Sequence, residues 1–518
     1  MIWRGRGTGI GGDQSTLLTA RPMAWRRLGA AVSTATVAYA VALLVPTSAW
    51  AQTCTSPNAT SCTVDTTLNN GNFFENGFLG GTGVVTIESG GVFNNSVTGQ
   101  FVNGFRMESF GTVLIQSGGV FNNDGLYSNG VQATGTVIIQ SGGVFNNDRE
   151  FGNGDYGTGT VLIQGGGVFN NGGPFANGYS NRGVGTVTIQ DGGVFNNNVG
   201  REFMNGFYGT GTVLIQGGGV FNNNVGSYFL NGIGNGTGTV RIQSGGVFSN
   251  NGAFYNGAFY NGGNIGTGTV SIEDGGLFNH HAGNSIGRDN VANAVTFINS
   301  GTFNIGYGNP VLATTKYTGA YTQTATGALA LRADWTGNTS DKLAITGTAT
   351  LAGTIVVTPL NFPSTGGLSK TFTGIITSTN PIVDRGIGVT DTAAVNYELL
   401  KSAKQIDLVA TINFQGIETG GLTPNQNNVG GVVNTIFSGG TSLGFMPPLL
   451  TLQTNGELGA ALDQLAPSGV GAGNASTLQS GGAFAGQLLS CRTLGEGDAS
   501  AIIREGQCVW ARGTVRHA

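Results

Sequence analysis

Gly111-Thr112-Val113-Leu114-Ile115-Gln116-Ser117-Gly118-Gly119-Val120-Phe121-Asn122-Asn123 is one copy of a phrase the chain writes eight times between Gly83 and Asn279. Its isoleucine recurs at 87, 115, 139, 163, 189, 215, 242 and 272, at separations of 28, 24, 24, 26, 26, 27 and 30 residues. A period of this size marks a solenoid, in which each repeat is one structural unit stacked on the next. Within the copy the residues alternate, so Val113 and Ile115 share one face while Thr112, Leu114 and Gln116 share the other. Position 114 varies between copies (Thr86, Ile138, Arg241 and Ser271 are counterparts), as an outward site would. Ser117-Gly118-Gly119 turns the chain, because glycine takes a positive φ at little steric cost. Val120 to Asn123 is a second short strand, and a variable loop then closes on an Asn-Gly pair, here Asn129-Gly130.

The predicted core is Val113, Ile115 and Phe121, then Val137, Ile139 and Phe145, then Val161, Ile163 and Phe169. It continues through Val187, Ile189 and Phe195 to Val213, Ile215 and Phe221, and most copies add a Phe before the Asn-Gly, such as Phe101, Phe151 or Phe175. One unit cannot fold alone. Burying a Val, an Ile and two Phe contributes roughly 6–12 kcal/mol as an upper bound, less than ordering some two dozen backbone residues at about 1–2 kcal/mol each. Stacking shares hydrogen bonds and an aliphatic-aromatic column between neighbours. The Asn122-Asn123 pair recurs in phase, as at Asn146-Asn147 and Asn170-Asn171, so its amides can form ladders along the axis. The fold read from this is all-β, a parallel β-helix, right-handed by the crossover rule. About fourteen coils at roughly 4.8 Å each make a rod on the order of 65–70 Å long. A β-propeller is the rival, but its blades need repeats of about 40–45 residues.

Glycine supplies 94 of 518 residues, only 9% are charged and the formal net charge is −4. With no basic patch there is no electrostatic case for binding nucleic acid. Ala49-Trp50-Ala51 ahead of Gln52 is an A-x-A cleavage signal following the apolar run from Leu28 to Val45 and the basic Arg26-Arg27. The expected location is therefore beyond the inner membrane: periplasm to outer membrane, cell surface or medium. The start is either Met1 or Met23, which would itself open a signal peptide of ordinary length. The mature chain's four cysteines form two local pairs, Cys54/Cys62 and Cys491/Cys508, each a disulfide candidate in an oxidising export route and each otherwise a pair of free thiols.

Six segments follow from these readings: 1–51 signal peptide, 52–80 N-terminal cap, 81–305 regular β-helix, 306–415 irregular β-helix end and cap, 416–506 helical linker, and 507–518. Val295 to Asn304 is a ninth, degraded copy, and Trp335, Asp334, Asp341 and Lys342 read as structural. Thr423 is a predicted N-cap with Pro424 at the first helical position, followed by Val429, Val432, Val433 and Ile436 on a helical period. Further helical stretches run through Leu458, Ala461, Leu462 and Leu465, and from Phe484 to Leu489.

Leu422 to Val429, Leu458 to Pro467 and Phe484 to Cys491 together resemble the junction segment of bacterial autotransporters of type V secretion. Gln507 to Arg512 looks like the start of a first barrel strand, and Asp341 to Val357 is similar to the end of pertactin-like passengers. The resemblance implies an exported passenger whose partner is an outer-membrane β-barrel translocator. Such a barrel needs at least eight strands of about 9–11 residues, and the sequence stops ten residues after Cys508. Residues 507–518 are therefore expected to be a truncated barrel start, with the translocator missing from this chain and its presence downstream left open.

The chemistry of secreted β-helical enzymes calls for clustered carboxylates. Here the acids are scattered, and the densest sets, Asp148-Arg149-Glu150 and Glu273-Asp274, read as exposed loops. No G-x-S-x-G nucleophile motif, calcium-binding G-G-x-G-x-D repeat or phosphate-cradling Gly-Lys-Ser/Thr loop is present. His280-His281 has no adjacent ligand set and reads as solvated loop. No catalytic, cofactor or metal residue is assigned. The expected function is an adhesin or surface scaffold, with a host surface, a glycan or a sister molecule as partner. The loop tyrosines Tyr127, Tyr156, Tyr179, Tyr208, Tyr228, Tyr255 and Tyr260 are candidate contacts, although packing on the next coil would equally explain them. A secreted polysaccharide-active enzyme and a non-functional truncated fragment are the alternatives.

Overall fold

The computed structural model describes residues 54, 58–59 and 61–465, apart from 199, 261–263, 288–294, 364–365, 417–420 and 442. The signal segment with Ala49, Ala51 and Gln52, the Cys491/Cys508 pair, the stretch Phe484–Leu489 and the barrel-like end all lie outside the described residues. Each regular coil contributes one strand to each of three sheets. The Gly-Thr-Val strands, such as Phe110–Ile115 and Thr134–Ile139, build a 13-stranded first sheet. The Val-Phe-Asn-Asn strands, such as Val120–Asn123, build a 14-stranded second sheet, and strands such as Leu126–Val131 build a 16-stranded third. Pairing between coils is parallel and in repeat register, with Val137 opposite Val113 and Val161, and Asn147 opposite Asn123 and Asn171. The architecture is a three-sided parallel β-solenoid.

Length variation between copies goes into corners. The longest interval, between Ile242 and Ile272, carries a local antiparallel excursion in which Tyr260 pairs with Asn264, while the strands on either side keep their register. Val113, Ile115, Phe121 and their counterparts at 137, 139, 145, 161, 163, 169, 187, 189, 195, 213, 215 and 221 have no solvent exposure. Two aromatic columns face each other across the interior. Rings stack along a column (Phe121–Phe145, 4.7 Å) and meet edge to face between columns (Phe145–Phe151, 5.5 Å), the arrangement the ring quadrupole favours.

The two ends of the described solenoid differ. Cys54 and Cys62 form a disulfide under the first coil, and Cys62 lies in a strand paired with Thr82–Ile87. At the other end Ser369–Ser378, Gln405–Ile412 and Val395–Lys401 pair antiparallel. A helix, Pro424–Ser438, starts there with a capping box between Thr423 and Gln426 and packs Phe437 on Phe414. Asp341 is fully buried and held by Arg332 at 2.7 Å, which ties two irregular coils together.

Candidate functional site

Three asparagine ladders set the geometry of the surface. Asn123, second of its pair, points inward and donates from Nδ2 to Oδ1 of Asn147 at 2.7 Å, and the chain of bonds continues through Asn171, Asn197 and Asn223 to Asn250. The Asn before each Asn-Gly glycine also points inward. Asn103 uses one amide hydrogen on Asn129 Oδ1 and the other on the carbonyl of Thr136, so both donors are satisfied. This explains the glycine of each Gly-Thr-Val: a Cβ on Gly111 would stand 2.4 Å from Asn103 Oδ1. Asn122 forms the third, outer ladder with Asn94 and Asn146, and it runs in the opposite sense.

The second inward ladder fixes the corner that follows it. After Asn-Gly the chain turns out of the third sheet, and in six copies the second residue takes a left-handed conformation, Ser180 being an exception. Leu79, Arg106, Gln132, Tyr156 and Tyr208 have φ of 47°, 68°, 55°, 57° and 64°, and Gly234 stands at the equivalent point with φ 65°. A side chain there costs about 1–2 kcal/mol relative to the right-handed region, yet only one of these copies uses glycine. Leu79 is 63% and Tyr156 52% exposed. The corner is a ridge on which one backbone conformation carries Leu, Arg, Gln, Tyr or Gly.

Chemistry changes along the ridge. At the N-terminal end the Arg106 guanidinium lies 5.1 and 5.0 Å from the Phe78 and Phe105 ring centres. In the middle Asp155 is 3% exposed. Burial, opposed by a Ser180 hydrogen bond and aided by the charge of Glu150, pushes its carboxyl up to about 6. The Ser180 hydroxyl also accepts the Tyr156 N–H at 2.6 Å. At the C-terminal end a second, outer apolar cluster forms from Ala176, Met204, Phe207, Leu230 and Ile233, with Tyr179, Tyr208 and Tyr255 packed against it. Phe207 and Tyr208 lie 4.6 Å apart.

Two expectations are corrected. His280 is not a solvated loop residue: it is fully buried at the end of the inward ladder, where it replaces an asparagine. Its Nδ1 lies 3.0 Å from Asn250 Nδ2 and its Nε2 3.1 Å from the Asn284 carbonyl, so Nδ1 accepts and Nε2–H donates. Burial lowers its pKa to about 4. Tyr127 is not a loop contact either. It occupies a phenylalanine place in the interior, 4.9 Å from Phe101 and 4.5 Å from Phe151, because the residue two before each inward Asn also points inward. Sequence reading also missed Asp155 and Arg106. The signal was present in the fixed Asn-Gly followed by two variable positions. Of the other acids, Glu273 continues a column of outward Gln and binds Arg241 at 2.6 Å. Among the described residues no three His, Cys, Asp or Glu stand together as a metal site.

Fold and surface define a parallel β-solenoid with a ridge of variable side chains along one corner. No protein-family model and no curated protein matches the chain. Among solved structures, the chain is similar to a fragment of TibA, residues 55–350, hyper-glycosylated by TibC catalysis. The TM-score is 0.31 and the identity 14%, over 59% of this chain and 90% of that one. A superposition that loose fixes no residue correspondence.

Proposed function

We propose that the chain is an exported, autotransporter-like passenger that acts as an adhesin at or beyond the cell surface, with the corner ridge as its contact surface. The observation that carries this is the row of side chains kept at left-handed positions where glycine is cheaper. A pure spacer gains nothing from such strain, whereas a binding surface does. Export rests on the A-x-A signal, and the outer-membrane barrel partner rests on the resemblance of 422–429 and 458–467 to an autotransporter junction. The scaffold role is not in conflict with adhesion, since a rod supports both.

The test uses the strain itself. Replacing Arg106, Tyr156 and Tyr208 together by glycine relieves the backbone and should leave the far-ultraviolet β signal intact. Cell binding or aggregation by the purified chain is expected to be lost. If binding survives in the folded triple variant, the ridge is not the contact surface.

One observation favours the polysaccharide-active alternative: the raised carboxyl of Asp155 beside Glu150, since a general acid needs such a shift. Release of reducing ends from polysaccharide by the purified chain, abolished by Asp155→Asn, would replace the adhesin reading.

A further inference from the structure

The first sheet turns outward a plane whose hydroxyls nothing among the described residues binds. Thr112, Thr136, Thr160 and Thr186 stand in direct register, and the column runs on without a break to Thr296. Two residues upstream on the same face, Thr134, Thr158, Thr210, Thr237 and Thr267 form a second column, interrupted by Val184, which keeps threonine's shape and methyl groups. The pleat and the strand separation put neighbouring hydroxyls about 4.8 Å apart along the axis and about 6.6 Å apart across it.

Three facts separate this plane from ordinary strand preference. The next outward position on the same strands changes freely (Leu114, Ile138, Thr188, Arg241) under the same β-propensity, while the threonine stays. The inward asparagine ladder needs only the main-chain carbonyl of these residues, as in Asn103 to Thr136 at 2.9 Å. The hydroxyls of the column are bonded to nothing among the described residues. Finally, from Thr82 to Ile215 the strands of this sheet carry no Lys, Arg, Asp or Glu, so the face is electrically matched to a neutral partner.

We propose that this threonine plane binds the surface of ice. Methyl groups at fixed spacing order the water over them, and the hydroxyls between anchor that ordered water at the regular rung spacing of about 4.8 Å. Charged groups would hold their own hydration shells and break the lattice, and the plane has none over these rungs. The backbone is fixed in register by three sheets before it meets a crystal, so many weak contacts add with little ordering cost. The ridge borders this plane, with Gln132, Tyr156 and Tyr208 lying two positions before Thr134, Thr158 and Thr210, and Thr212→Lys leaves every ridge residue in place.

The experiment uses the purified full chain. Thermal hysteresis and inhibition of ice recrystallisation are measured for the wild type, for Thr212→Lys in the plane and for Val220→Lys on the outward face of the second sheet. Circular dichroism confirms that each variant keeps its β signal. The wild type and Val220→Lys are expected to facet ice crystals and to arrest recrystallisation, and Thr212→Lys to lose both effects. The proposal is overturned if the wild type does neither, or if both variants behave alike. Retention on crystalline polysaccharide, or sedimentation as a dimer, abolished by Thr212→Lys without any ice effect, would assign the plane to that occupant and equally overturn the proposal.

Discussion

Tyr127→Phe should stabilise the solenoid. The Tyr127 ring is 1% exposed and stacks in a column whose neighbours are Phe101 and Phe151, and its hydroxyl has no hydrogen-bond partner. Burial accordingly pushes its phenol pKa well above the usual range. A hydroxyl taken from water without compensation costs about 1–3 kcal/mol. Phenylalanine fits the same place, since Phe151 and Phe175 stack at 4.7 Å in the next two rungs, so no cavity or overlap offsets the gain. The net expectation is about 1–2 kcal/mol of stabilisation. Spread over some 400 ordered residues, with an unfolding entropy of about 2.1 cal/mol/K each, this shifts a melting midpoint by only about 1–2 °C. Coils couple mainly to their neighbours, so the sensitive assay is native-state amide exchange. Strand residues 101–103, 126–131 and 151–155 should exchange several-fold to more than tenfold more slowly in the variant, while residues 203–233 should not change. Unchanged or faster exchange at 126–131 would refute the reasoning, because it would mean that the hydroxyl has a partner, such as an interior water, that phenylalanine strands.

Two further outcomes follow from the ladders. Free His280 titrates near 6.5 and folded His280 near 4, so between those values the unfolded chain binds the extra proton. Its contribution is complete above pH 6.5 and is lost as the pH falls towards 4, by up to about 3 kcal/mol. Amide exchange of residues 277–286 should therefore accelerate across that window, and His280→Asn, which restores the ladder residue, should flatten the profile. A window unchanged in His280→Asn would place the acid sensitivity elsewhere. Asn147→Ala opens the inward ladder and leaves an Asn123 donor and the Asn171 acceptor side unpaired in a dry interior, at a cost of about 2–5 kcal/mol. Asn146→Ala cuts the half-exposed outer ladder, where water replaces the lost partners, and should cost under about 1 kcal/mol. Urea unfolding of the two variants compares them directly, and equal costs would contradict the assigned faces.

The repeat period and the alternation of Val113 and Ile115 were enough, on the sequence alone, to define a stacked parallel solenoid with an aliphatic-aromatic spine and asparagine ladders. Those features depend on local backbone geometry, and the spacing of residues reports it directly. Which asparagine of each pair faces inward, why glycine precedes threonine, and where His280 and Tyr127 sit were decided by closure of the coil. Each turn resets the phase of the alternation, and only the closed triangle of strands says which side of the next strand is inside. The left-handed corner after Asn-Gly has the same origin. The glycine of Asn-Gly is set by the neighbouring coil, since a Cβ on Gly104 would stand 2.2 Å from the Thr134 carbonyl oxygen, a contact some 30 residues away in sequence. The inside of this protein was thus written in its period, and the two surfaces proposed here for binding emerged only once the coils were stacked.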